Sequence, residues 1–369
     1  MESNKLLRTF WPVGQGAFYS ELFYNDEQSN GLVVYDCGTL SPQRYVWTCI
    51  HELRKRCCGV NKSTEKPIID VLFISHFHYD HISGINQLME LFNVKKIILP
   101  VIPSEVFVDV YLNNYIYDNH KGKPTLELLC RLLSEDYIDT SYIHRFDESD
   151  IGHFDKKIFN QIRIDRGYDS LDTIKRIIPT TTIINLNNWQ YIPFNYPCEQ
   201  SFKLFNVMNE HYPELVQLII NEEWKEVKLN VDRIGIKKIK QLYSDIYKND
   251  QNEESMTVLS CPSFESDNRE LYCLYTGDSP FRHCNRLSSV KVFYADYWKK
   301  FGVLQVPHHG ADDDNVKELF DHSRQCVVCY GKNRFGHPGD KALNNMEKSN
   351  SKIIHVTNIS RPICFSYNV

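Results

Sequence analysis

The chain reads as an α/β protein in which two β-sheets pack together and helices cover them outside. Three observations carry that reading. Short apolar runs of strand length recur in both halves of the 369 residues. Stretches with helical spacing of apolar residues lie between some of them. Clusters of histidine, aspartate and glycine close several of the runs, so they would gather at one edge of such a sandwich.

The first hundred residues supply strands with one or two helices. The chain runs from Met1 through Lys5 into a strand ending at Thr9-Phe10-Trp11. Pro12-Val13-Gly14-Gln15-Gly16 turns it, and Ala17 to Tyr24 returns as a second strand. Gly31 to Asp36 is a third, closed by Cys37-Gly38. Ser41 and Pro42 then open a helix as N-cap and first helical residue. Its apolar stripe is Val46, Ile50, Leu53 and Cys57. Ile68 to Ile74 is a buried strand, and Ile82, Ile85, Leu88, Met89 and Phe92 form one face of the next helix. Val94 to Leu99 is a further short strand.

From about 101 to 253 the chain is more polar and more helical, with helices expected over Pro124 to Leu133 and Ile234 to Tyr247. This block separates one group of candidate ligands from the next. It reads as an insertion into a single domain spanning 1–369, and Asn249 to Glu254 is the nearest thing to a linker. The strand pattern resumes at Met256 to Cys261, Leu271 to Tyr275, Val303 to Val306, Cys326 to Tyr330, Ile353 to Thr357 and Ile363 to Tyr367. Asn315 to Phe320 and Asp340 to Met346 are helical.

Composition bounds the function. With 42% hydrophobic and 24% charged residues and a net charge of −5, the chain is a globular protein, not a general polyanion binder. The opening residues hold no apolar leader and no apolar run has the length of a membrane span. Both absences point to a cytoplasmic protein without a membrane partner. Of the 12 cysteines, Cys37, Cys261, Cys273, Cys326, Cys329 and Cys364 lie in or beside apolar strands, where reduced thiols pack as small hydrophobes, and all 12 read as structural and reduced. Cys326 and Cys329 have CxxC spacing, but strand residues three apart face opposite ways and do not share a metal.

The chemistry centres on His76-Phe77-His78-Tyr79-Asp80-His81. Three imidazoles and a carboxylate on a strand-to-helix turn suit a borderline divalent cation such as zinc, and the spacing can feed two adjacent ions. Three more clusters close strands: Thr276-Gly277-Asp278, Val306-Pro307-His308-His309-Gly310, and Gly331-Lys332-Asn333-Arg334-Phe335-Gly336-His337-Pro338. Each alone is weak; their common placement carries the inference.

The order HxHxDH, Gly-Asp, then a late histidine resembles the metallo-β-lactamase superfamily. The closer likeness is to the β-lactamase-like hydrolase domain of ComEC-type DNA-uptake proteins. That group shares Val13 to Gly16, Asp36-Cys37-Gly38, Gly277-Asp278, Val306 to Gly310 and Gly331 to Pro338. The resemblance implies a four-layer αββα sandwich with a dinuclear site at one edge, most simply two Zn²⁺, with Mn²⁺ as the alternative. It implies His76 and His78 as first-metal ligands, Asp80 and His81 as second-metal ligands, Asp278 as the bridge and His309 as the late histidine. His308 becomes a substrate-contacting or supporting group, although the residues alone do not choose between the pair. Asp36 is expected to support the His-x-His loop.

Two departures stand out. The superfamily commonly supplies another first-metal histidine before the bridging aspartate, and His120, His144, His153 and His211 match no such setting. Ala311 follows His-His-Gly where the nearest relatives usually carry serine.

The resulting expectation is a hydrolase that cuts a phosphodiester in nucleic acid or a nucleotide through a metal-bridging hydroxide. Asp80 would also move protons, and Lys332, Asn333 and His337 would form an anion pocket, with His308 beside them. Hydrolysis of a lactone, thioester or β-lactam on the same site is one alternative. A non-catalytic, metal-stabilised protein that docks a partner through 101–253 is another.

Overall fold

In the computed structural model, the described residues are 5–25, 28–58, 66–98, 100, 108, 112, 143–144, 183–195, 199–221, 223–247, 255–282 and 286–369. Strands β1 (Lys5–Phe10), β2 (Phe18–Asn25) and β3 (Gln28–Cys37) form an antiparallel meander. Helix α1 (Arg44–Cys58) follows, then β4 (Ile68–Ile69) and β5 (Val71–Phe73). Helices α2 (Tyr79–Ile82) and α3 (Ile85–Leu91) lead to β6 (Asn93–Val94), β7 (Ile97–Ile98) and β8 (Ile143–His144). Strands β9 (Ile184–Leu186) and β10 (Trp189–Phe194) precede helices α4 (Glu199–His211), α5 (Pro213–Ile220), α6 (Trp224–Ile234) and α7 (Ile236–Tyr247).

The second half continues with β11 (Thr257–Pro262), β12 (Cys273–Tyr275), helix α8 (Arg286–Phe293), β13 (Val303–Gln305) and helix α9 (Lys317–Phe320). It closes with β14 (Gln325–Cys329), helix α10 (Asp340–Lys348), β15 (Lys352–Val356) and β16 (Ile363–Asn368). Two seven-stranded sheets result, ordered β16-β1-β2-β3-β5-β7-β8 and β15-β14-β13-β12-β11-β10-β9, with β4 and β6 as a separate pair. Each sheet is antiparallel on one side and parallel on the other, through β3-β5-β7-β8 and β12-β13-β14-β15.

The period-two alternation of strands explains the layers. Val33, Tyr35, Val71 and Phe73 face the core between the sheets, whereas Leu32, Val34, Leu72 and Ile74 join an outer core with Val46, Ile50, Leu53, Ile85 and Leu88 from the helices. The expected sandwich of two sheets with helices outside is therefore the observed fold. Buried Arg8 pairs with Glu21 at 2.6 Å between the sheets, and Glu21 also accepts from the Tyr191 hydroxyl (2.7 Å) and the Tyr275 hydroxyl (2.9 Å).

Several expected elements are modified. Within 101–253, β9 and β10 are strands of the second sheet, paired to each other and to β11. Helices α4 to α7 of that block fall within 199–247, and their Leu204, Met208, Leu215, Val227 and Ile239 pack into the outer core. The helix expected over Ile234 to Tyr247 is broken at Gly235, whose φ of +92° interrupts it and separates α6 from α7. Ser41 does not cap α1; its Oγ accepts the Gln15 N–H at 3.0 Å, and the helix begins at Arg44. The helix expected over Pro124 to Leu133 and the linker at 249–254 lie outside the described residues. The nine described cysteines are free thiols, including Cys326 and Cys329.

Candidate metal centre

The carboxyl ends of the parallel strands bring the polar clusters together, where open α/β sheets place their ligands. β5 ends before His76, and the short helix α2 carries Asp80 and His81. β12 leads to Asp278, β13 to His308 and His309, and β14 to the loop 331–338. Asp80, His81, Asp278 and His309 are buried and offer ligand atoms that all lie within 4.8 Å of one another. His81 Nε2 is 3.1 Å from Asp278 Oδ1, and His309 Nε2 is 3.2 Å from Asp80 Oδ2. His76 Nε2 lies 3.8 Å from Asp278 Oδ2, and the His76 and His78 rings are 4.6 Å apart.

Each imidazole is aimed by what holds its other nitrogen. A carbonyl oxygen can only accept, so His309 Nδ1, 2.8 Å from the Cys329 carbonyl, carries the proton and Nε2 presents its lone pair. Asp36 Oδ2 does the same for His81 Nδ1 at 2.8 Å. Asp36 also accepts the Ser75 N–H at 2.7 Å on Oδ1 and the Ser75 hydroxyl at 2.7 Å on Oδ2. With its proton given to Asp36, the Ser75 oxygen accepts from His76 Nδ1 at 3.0 Å. Asp36 thus orients two imidazoles, one directly and one through Ser75, which is the supporting role expected of it.

The carboxylate side is equally constrained. Gly277 sits at φ +54°, and a Cβ there would come within 2.6 Å of Ser255 Oγ, so the sharp turn into Asp278 requires glycine. Ser255 Oγ accepts the Asp278 N–H at 2.9 Å, and Gln305 Oε1 accepts the N–H groups of Thr276 (2.8 Å) and Gly277 (2.9 Å). Gly38 plays the matching part on the other sheet: a Cβ there would meet the backbone of Asp80 and His81 at 2.6 Å. The Val13 to Gly16 motif explains itself here. Ala17 N–H donates to the Asp80 carbonyl at 3.0 Å, and the Gln15 carbonyl accepts from Leu40 N–H at 2.6 Å.

Electrostatics fit a cation. Burial alone would raise the pKa of Asp278, but His81, His308 and His309 outweigh it and hold the carboxyl well below its usual range. Burial likewise opposes a charged His81, yet Asp278 and Asp36 drive its pKa well up. His76 and His78 are pushed down, His78 to about 4, chiefly by burial. Without a metal, a proton on His81 therefore balances the carboxylates, and a cation would displace it. His76 Nε2 is buried with no hydrogen-bond partner, and unprotonated His81 Nε2 and Asp278 Oδ1, 3.1 Å apart, both present lone pairs. Buried polar atoms left this way are costly, so the donor set fits a divalent cation that would satisfy all three.

The loop 331–338 departs from expectation at one residue. The Asn333 amide is used inside the loop: Nδ2 donates to the carbonyls of Gly331 (2.9 Å) and His337 (2.7 Å), and Oδ1 accepts from the N–H groups of Phe335 (2.9 Å) and His337 (3.1 Å). It shapes the turn through these bonds within the loop. Lys332 and Arg334 are exposed. The His337 ring lies 5.1 Å from that of His308, and burial lowers its pKa to about 4. Among the other histidines, His211 is exposed on α4. His120 and His153, and the side chain of His144, lie outside the described residues.

Sequence reasoning missed Ser75, Ser255, Gln305 and Asp314. Ser75 was legible as the polar residue between an apolar run and His76. Nothing in the local pattern marks the other three.

The two packed sheets, the flanking helices and this buried ligand cluster define a metal-binding hydrolase scaffold. Residues 26–155 match the family model described as Metallo-beta-lactamase superfamily. No curated protein matches the chain. Among the described residues, no helix is long and apolar enough to cross a membrane.

Proposed function

We propose that the protein is a cytoplasmic, dinuclear metal-dependent hydrolase that cuts phosphodiesters in nucleic acid or nucleotides. The observation that carries the reading is the convergence of Asp80, His81, Asp278 and His309 with the partnerless His76 Nε2 beside them. His76, His78, Asp80, His81, Asp278 and His309 would hold two divalent cations, Zn²⁺ or Mn²⁺. When bound, such ions lower the pKa of water toward neutrality and offset negative charge developing on the substrate.

The chain's own residues supply the rest. Asp80, whose Oδ2 lies 3.2 Å from His309 Nε2, would exchange a proton with the attacking water or the leaving oxygen. His337 would approach an anionic substrate from the other side, and exposed Lys332 would add a point charge for phosphate. The Lys332 charge on the neighbouring loop, together with motifs resembling the DNA-processing ComEC-type domain, favours a phosphodiester over an acyl substrate.

The test is turnover by zinc- or manganese-loaded protein of bis-p-nitrophenyl phosphate and single-stranded DNA, against nitrocefin and acyl thioesters. Hydrolysis of the first pair, abolished in Asp80→Ala and Asp278→Ala, is expected. Activity confined to the second pair, or none with metal bound, overturns the reading.

A further inference from the structure

The expected first-metal site lacks one histidine, and the geometry offers a replacement from an unexpected place. His308 Nε2 lies 3.8 Å from Asp278 Oδ2, the same oxygen that His76 Nε2 approaches at 3.8 Å. Donors bonded to one zinc ion at about 2.1 Å can be no more than roughly 4.2 Å apart, and both contacts meet that limit. The other Asp278 oxygen, Oδ1, is the one turned to His81 at 3.1 Å. The two oxygens of one carboxylate therefore face different imidazoles, an arrangement open to a bridging ligand.

His308 is also supported like the other ligands. Its Nδ1 lies 2.5 Å from Asp314 Oδ2, and a carboxylate accepts there, so Nδ1 holds a proton and Nε2 is the nitrogen turned to Asp278. Metal-binding imidazoles are held in this way, as His81 is by Asp36 and His309 by the Cys329 carbonyl. Asp314 is itself buried.

The backbone adds an independent observation. His308 has φ 49°, ψ 46° and His309 has φ 55°, ψ 21°, two successive non-glycine residues in the left-handed region. This turn leaves His309 Nε2 facing Asp80 and His308 Nε2 facing Asp278 Oδ2, and strained pairs of this kind persist where function demands them. The turn is pinned by His308 N–H to the Gly277 carbonyl (3.2 Å) and by Asn315 Nδ2 to the carbonyls of Pro307 (3.1 Å) and Ala311 (2.6 Å).

We propose that His308, oriented by Asp314, is the third histidine of the first metal position, beside His76, His78 and Asp278 Oδ2, while Asp80, His81, His309 and Asp278 Oδ1 form the second. The adjacent histidines of one turn thus serve different ions. This rests on the two-metal reading above, and the experiment separates the two.

The full chain is stripped with chelator and titrated with Zn²⁺ at buffered free concentrations, and bound equivalents are counted by mass spectrometry. Co²⁺ titration reports the coordination of each position by its visible absorption. Wild type should take two equivalents. His308→Ala should keep one tight equivalent and weaken the other at least 100-fold, with the cobalt spectrum of the weakened position changed. Asp314→Asn should weaken the same equivalent about 10- to 100-fold. His309→Ala should weaken the other one. If His308→Ala folds poorly, His308→Asn, which tolerates the left-handed backbone, carries the same comparison. Fewer than two equivalents in wild type would contradict the two-metal reading itself. Two equivalents in wild type with unchanged affinities and spectra in the His308 variants would overturn this assignment alone, leaving His308 as a substrate contact.

Discussion

Replacing Asp36 by asparagine removes one charge and little else. Position 36 has φ 55°, a conformation that asparagine adopts more readily than most residues, so the backbone is undisturbed. The damage is in the hydrogen bonds. Asp36 Oδ1 accepts from Ser75 N–H at 2.7 Å, and Oδ2 accepts both the Ser75 hydroxyl at 2.7 Å and His81 Nδ1 at 2.8 Å. An asparagine that keeps its oxygen on the Ser75 N–H turns an NH₂ group toward the other two donors. His81 must then accept on Nδ1 and carry its proton on Nε2, the nitrogen facing Asp278. That tautomer cannot bind a cation. Loss of such a supporting group typically weakens metal affinity 10- to 100-fold, about 1.4–2.7 kcal/mol. Asp36→Ala is harsher, since it leaves three buried donors unsatisfied at about 1–3 kcal/mol each. The metal-free protein should lose about 3–9 kcal/mol. Competition against a chromophoric chelator reads the first effect, and urea unfolding of stripped protein reads the second. Wild-type metal affinity in Asp36→Asn would refute the reasoning.

Four further outcomes follow from other parts of the fold. Glu21→Ala should cost about 3–5 kcal/mol in urea unfolding because it strands the buried charge of Arg8; the Arg8→Met/Glu21→Leu double variant should recover much of it, and an equal loss in both would contradict this. Gly38→Ala should lower both stability and metal affinity, since its Cβ would meet the backbone of Asp80 and His81 at 2.6 Å. Gly235→Ala, strained only by its own φ of +92° and with open space around it, should lower stability alone. Burial pushes the Cys261, Cys273 and Cys326 thiols up to about 12. Unfolded thiols ionise near pH ~8.5, so these groups leave stability intact below that pH and erode it as pH climbs toward 12. Thermal melting should therefore fall steeply from about pH 9, and Cys326→Ala should make the fall shallower; parallel curves for the two proteins would count against it.

The strands and the ligand turn were legible because local pattern fixes them. Alternation in Leu32 to Tyr35 and Leu72 to Ile74 reflects burial on two faces, and HxHxDH places its donors within a few residues. What escaped depends on contacts distant in sequence. β9 and β10 become sheet strands only through pairing with β11, so a polar neighbourhood disguised them as insertion. Ser255 matters because β11 delivers it beside Asp278, and Asp314 because a tight turn folds it back onto His308. Asn333 shows the converse. Its motif suggested a ligand-facing donor, but the loop's own N–H and carbonyl groups claim the whole amide.

Anomalous diffraction from crystals grown with Zn²⁺, collected at the zinc edge, tests the account most directly. It predicts a strong peak within bonding distance of Asp80, His81, Asp278 and His309. Zinc bound elsewhere, with that cluster empty at saturating metal, would contradict it.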